Sequence, residues 1–117
     1  MRKPFLLAAL AVALVPAAAF AHARVVSSSP AANAAIAPPK QISVTFSEAL
    51  VPAFSKLEVT MAGMDMKVPL KIAVSTDRKT MTGTPQGAFS KGSYVINWSA
   101  ASVDGHKSKG SIPFKIK

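Results

Sequence analysis

His22 and His106 are the only two imidazoles in a chain of 117 residues that contains no cysteine. His106 follows Asp104-Gly105, a turn dipeptide. His22 follows Ala19-Phe20-Ala21, which puts small residues at the two positions a signal peptidase reads. Cleavage after Ala21 makes His22 the first residue, and its α-amine and ring nitrogen then close a chelate ring on one metal ion. If the chain start lies beside the Asp104 turn, the His22 amine, the His22 ring, the His106 ring and the Asp104 carboxylate converge. Three nitrogens and one oxygen suit a tetragonal copper(II) ion, which heads the stability order of divalent first-row metals; nickel and zinc can take the same donors. The plainer alternative is a solvated chain end and an ordinary turn carrying an exposed polar histidine.

The rest of the composition narrows the field. Without cysteine there is no disulfide scaffold, thiolate zinc site, iron–sulfur cluster or cysteine nucleophile. Five carboxylates and two imidazoles leave few groups for acid–base catalysis, so a binding protein is expected rather than an enzyme. Arg2 and Lys3 precede an uncharged run from Phe5 to Phe20, which contains Pro16 and falls short of the roughly 20 apolar residues a membrane span needs. Residues 1–21 therefore read as a cleaved signal peptide, and residues 22–117 as one small exported domain. Without Arg2 and Lys3 that domain keeps 12 basic residues against 5 acidic ones. Lysines such as Lys56, Lys67, Lys71, Lys79, Lys91, Lys107 and Lys115 are dispersed, which fits solubility better than a nucleic-acid footprint.

Any such site must be positioned by strands. Apolar residues alternate with a period of two at Ile42, Val44, Phe46; Leu57, Val59, Met61; Val68, Leu70, Ile72; Tyr94, Ile96, Trp98; and Ile112, Phe114, Ile116. Prolines and turn dipeptides punctuate these runs at roughly 8–12-residue spacing. With a leading strand at Arg24 to Ser28 and another around Thr80 to Thr82, the expected fold is an all-β, immunoglobulin-like Greek-key β-sandwich of about seven strands. Trp98 is expected in the core between the sheets, not as an exposed stacking platform. Met81 reads as a core residue, and Met61 as an inward extension of its strand. Met61, Met64 and Met66 also offer thioethers, which select copper(I), but they stay outside the expected site.

Three segments carry a family resemblance. They are His22-Ala23-Arg24-Val25-Val26-Ser27-Ser28-Ser29-Pro30-Ala31, Val44-Thr45-Phe46-Ser47-Glu48-Ala49-Leu50, and Asn97-Trp98-Ser99-Ala100-Ala101-Ser102-Val103-Asp104-Gly105-His106. Together with the closing Phe114-Lys115-Ile116-Lys117, they resemble the CopC family of periplasmic copper-resistance proteins. The resemblance implies a monomeric sandwich that binds copper(II) through the amine and ring of His22, with Asp104 and His106 completing or flanking the coordination sphere. It also implies that the first strand brings His22 to the Asp104 turn. Ser47-Glu48 belongs to the shared signature, and Glu48 is read as structural or supporting. Some members hold copper(I) on a longer methionine-rich loop with an added histidine; the loop here is short and lacks that histidine.

The expected function is periplasmic buffering or carriage of copper without turnover. Two alternatives stand beside it. Copper monooxygenases also join an amino-terminal histidine to a second histidine, and the family includes domains that are fused to, or work beside, copper-importing membrane proteins.

Overall fold

The period-two alternation is realised as eight strands. Among the described residues they are β1 (Val25–Ser29), β2 (Ala35–Ile36), β3 (Ile42–Phe46), β4 (Lys56–Met61), β5 (Leu70–Val74), β6 (Thr80–Pro85), β7 (Gly92–Ala101) and β8 (Lys107–Ile116), with a 3₁₀ turn at Pro52–Phe54. This architecture comes from a computed structural model in which residues 22–117 are described. The expected signal segment, residues 1–21, lies outside the described residues.

Two four-stranded sheets, in the orders β1-β3-β6-β5 and β2-β8-β7-β4, face each other. Hairpins join only β5 to β6 and β7 to β8; every other connection crosses between the sheets, as Greek-key wiring requires. The inward positions of both sheets form one core of Ile42, Val44, Phe46 and Met81 against Leu57, Val59, Tyr94, Ile96, Ile112, Phe114 and Ile116. Burying each large side chain of this set contributes about 1.5–3 kcal/mol. Tyr94 meets the cost of burying its hydroxyl by donating to the Ser90 carbonyl at 2.6 Å.

Three details depart from the expected strands. The eighth strand, β2, is two residues long and forms only by parallel pairing with the end of β8, Ala35 facing Lys115 and Ile36 facing Ile116. Val68 stands outside β5, which begins after Pro69, and its amide donates instead to the Val59 carbonyl on β4 at 2.8 Å. Ile72 leans over Gly83 but remains 41% exposed, because β5 is an edge strand with no neighbour on its far side.

Trp98 packs against the core cluster while staying half-buried, its ring edge-on to Phe46 at 5.1 Å between centroids. The residue opposite it on β8 is Gly110. A Cβ at Gly110 would sit 2.6 Å from Cζ2 of the indole, closer than any carbon contact permits. Gly110→Ala therefore forces the ring out of its place and is expected to cost about 1–3 kcal/mol of stability. Urea unfolding followed by Trp98 fluorescence measures this, and an unchanged midpoint would show that the indole does not rest on that strand.

Candidate metal centre

The segment that leads into β1 is clasped between the two sheets. Ala23 is buried, and its carbonyl accepts a hydrogen bond from Ser108 Oγ on β8 at 2.8 Å. The Arg24 amide donates to Ser47 Oγ at 3.0 Å, and the Ser47 amide donates back to the Arg24 carbonyl at 2.8 Å. One residue later Val25 pairs with Phe46 at the end of β3. Residues 23 to 25 are thus fixed to both sheets, and His22 is delivered to the end of the sandwich where β7 turns into β8.

That turn is built by its own side chains. The Ser102 amide donates to the His106 carbonyl and the Gly105 amide to the Ser102 carbonyl, both at 2.9 Å. Gly105 has φ +95°, a conformation that a side chain would strain. The buried Ser102 hydroxyl donates to Asp104 Oδ1, which also accepts from the His106 amide at 3.1 Å. Asp104 Oδ2 lies 3.2 Å from His106 Nδ1. The Ser102 hydroxyl, followed by the His106 amide, holds the Asp104 carboxyl below its ordinary 3.8, at about 2.

The imidazoles of His22 and His106 meet, their ring centroids 4.8 Å apart and their planes at 65°. A ring nitrogen bonded to a metal at about 2 Å puts its ring centre about 3 Å from the ion, so two rings at right angles round one ion have centres about 4–5 Å apart. The observed separation has that scale. With Nδ1 of His106 turned to Asp104, its Nε2 is the nitrogen left for an ion, and a carboxylate that orients a ligating imidazole in this way is a recurrent supporting contact.

The structure thus places His22 and Asp104, both expected at the site, each against His106. Among the described residues, no three His, Asp or Glu side chains are gathered as a ready-made cage. Glu48 makes no hydrogen bond or ion pair among the described residues; in that shared signature it is Ser47 that ties down the segment before β1. The methionines lie elsewhere. Met61 pairs with Tyr94, and from Tyr94 to Ser102 is about 25 Å of extended chain. Met64 and Met66 are exposed, Met61 is partly buried against the core, and Met81 is wholly buried.

The roles of Ser47, Ser102 and Ser108 escaped the sequence reading, although Ser47 and Ser102 lie in the segments that carry the resemblance. The spacing Ser-x-Asp-Gly-His carries a local signal for Ser102, because serine and aspartate two residues apart readily bond within a turn. Ser47 and Ser108 act over long range and leave no local trace. Ser102→Ala is expected to raise the Asp104 titration midpoint from about 2 toward 3.8, read by NMR of the carboxyl carbon. A midpoint that stays near 2 would remove Ser102 from this role.

Fold and site define a small Greek-key sandwich that presents two imidazoles and an orienting carboxylate at one end. Residues 25–117 match the CopC domain family, and the chain belongs to that family. It is 42% identical over 114 residues to Copper resistance protein C of Xanthomonas campestris pv. juglandis, covering 92% of this chain and 90% of the relative. The crystal structure of PcoC, a methionine-rich copper resistance protein from Escherichia coli, superposes with a TM-score of 0.76 at 38% identity, over 83% of this chain and all of that one. The copper transport protein CutJ of Bacillus subtilis is 33% identical over 104 residues, which make up 87% of this chain but only 19% of the relative.

Proposed function

We propose that this protein, after cleavage behind Ala21, is a periplasmic copper(II)-binding protein that buffers or carries copper in copper resistance and homeostasis. The observation that carries this reading is the meeting of His22 and His106 at 4.8 Å beside Asp104. Family membership supports the copper-binding resistance function. Copper is cargo here: it enters as the His22 amine loses its proton, is held by that amine, the His22 ring and Nε2 of His106, and leaves by exchange with a competing ligand. Asp104 orients His106 and supplies a negative charge beside the ion. No turnover is involved.

Likeness to part of a copper transport protein several times longer supports a domain that works beside a membrane copper transporter. The surface favours carriage over polysaccharide oxidation, because Phe54 is the one large exposed aromatic among the described residues and a sugar-oxidising face needs several.

Electron paramagnetic resonance of the processed protein with one equivalent of copper(II) tests the reading. The expected spectrum shows nitrogen hyperfine structure that loses one nitrogen in His106→Ala. An identical spectrum in that variant would remove His106 from the coordination sphere.

A further inference from the structure

The two outer faces of the sandwich differ in charge. On β3 and β6 the outward positions are hydroxyls, Ser43 facing Thr82 and Thr45 facing Thr80 at 3.0 Å between oxygens, with Lys71 at the edge facing Thr84. On the other sheet, Lys56, Ser99 and Lys109 stand in one cross-strand row, because Ser99 pairs with both lysines. Lys107, next to His106, holds the adjacent outward position on β8. The two lysines of the row are two strands apart, about 10 Å, which is about one Debye length at 0.1 M salt.

These lysines have no carboxylate of their own. The one acidic side chain on that part of the face, Glu58, is engaged by Lys67 at 3.2 Å, and the described residues make no other carboxylate pair except Asp104 with His106. Beside the row, Phe54 is 66% exposed. It is held there on a fixed platform. The Ser55 hydroxyl donates to the Val51 carbonyl at 2.9 Å and accepts from the Ala101 amide at 3.1 Å, which ties the 3₁₀ turn to β7. Ala53, Phe54, Lys56, Ser99 and Lys107 line a shallow depression there.

We propose that this face docks an acidic protein surface, with one carboxylate side chain of the partner entering the depression between Phe54, Lys56 and Lys107. Three observations favour a protein over an anionic membrane. The feature is concave, it offers a single aromatic rather than an apolar patch, and Ser99 lies between the lysines as a hydrogen-bonding group. An exposed aromatic anchor with unpaired charges around it is the usual centre of a recognition surface. Because Lys107 follows His106, the depression lies at the same end of the sandwich as the imidazole pair, where a recipient of copper could approach. That last step rests on the copper reading; the docking face does not.

The test is a titration of ¹⁵N-labelled processed protein with decaglutamate at low ionic strength, followed by NMR. Amide shifts are expected at Phe54, Lys56, Ser99, Lys107 and Lys109, and binding is expected to weaken about tenfold or more in the double variant Lys56→Glu/Lys109→Glu. Shifts spread evenly over Lys71, Lys79, Lys91 and Lys115 would overturn the proposal, since net charge alone would then explain them. Sedimentation with phosphatidylglycerol vesicles while decaglutamate leaves the face unmoved would overturn it in favour of a membrane. The double variant is expected to keep the native copper(II) spectrum. A missing copper site together with an intact decaglutamate map overturns the copper reading and leaves the docking face standing.

Discussion

Acetylating the α-amine of His22 in the processed protein, with the lysines left free, is expected to lower copper(II) affinity by about 100-fold or more. Linking two donors in one residue makes the second bond intramolecular, and such linkage is worth on the order of 10²–10⁴ in affinity. The modification removes that linkage and little else. In the structure residue 22 is preceded by Ala21, so its backbone nitrogen is already an amide, and the rings of His22 and His106 still meet at 4.8 Å. Ala23 and Arg24 keep their bonds to Ser108 and Ser47 in the same state. The blocked protein therefore retains the imidazole pair and Asp104, and the affinity difference reports the amine alone. Competition with a chelator of known affinity measures it, and equal affinity for blocked and free protein would exclude amine ligation.

Copper(II) affinity is also expected to rise steeply with pH. An unperturbed α-amine titrates near 7.7–8.0, and a proton on it competes with the ion, so below that range each pH unit costs about tenfold. From pH 5 to pH 7 the amine alone contributes about 100-fold. Asp104 contributes none of this slope. Its carboxyl, held at about 2 against an ordinary 3.8, is ionised throughout that window. For the same reason its share of folding stability is complete above 3.8 and is lost only as pH falls through about 2. The affinity slope between pH 5 and 7 is thus separated from acid unfolding at this carboxylate. A flat affinity profile over that range would count against the amine as a ligand.

How far the sequence could be read depended on the range of the interaction. Strands with a buried face declared themselves through alternation, so Ile42, Val44 and Phe46 or Tyr94 and Ile96 were assigned to the core by pattern, and they are buried. β2 was invisible, because two residues carry no period and the strand exists only as a partner for β8. Ile72 continued an alternating run yet remains partly open, because alternation specifies a side and says nothing of whether another strand covers the edge. The lysines read as dispersed along the chain, but Lys56 and Lys109 share a row once β4 and β8 flank β7.

The site divides along the same line. Residue type and spacing alone named the candidate donors: two imidazoles, one following an expected cleavage pattern and one behind Asp-Gly, and a carboxylate two residues from the second. Chain order left open whether residues 22 and 106 would ever meet, and the family resemblance supplied that expectation. Only the tertiary structure decided the meeting, because β1 pairs with β3 in one sheet while the His106 turn belongs to the other. Contacts from Ser47 and Ser108 bridge the two sheets at that end. A local pattern encodes what a residue can bond, whereas the distance between donors 84 positions apart is set by how two sheets pack, which no local window contains.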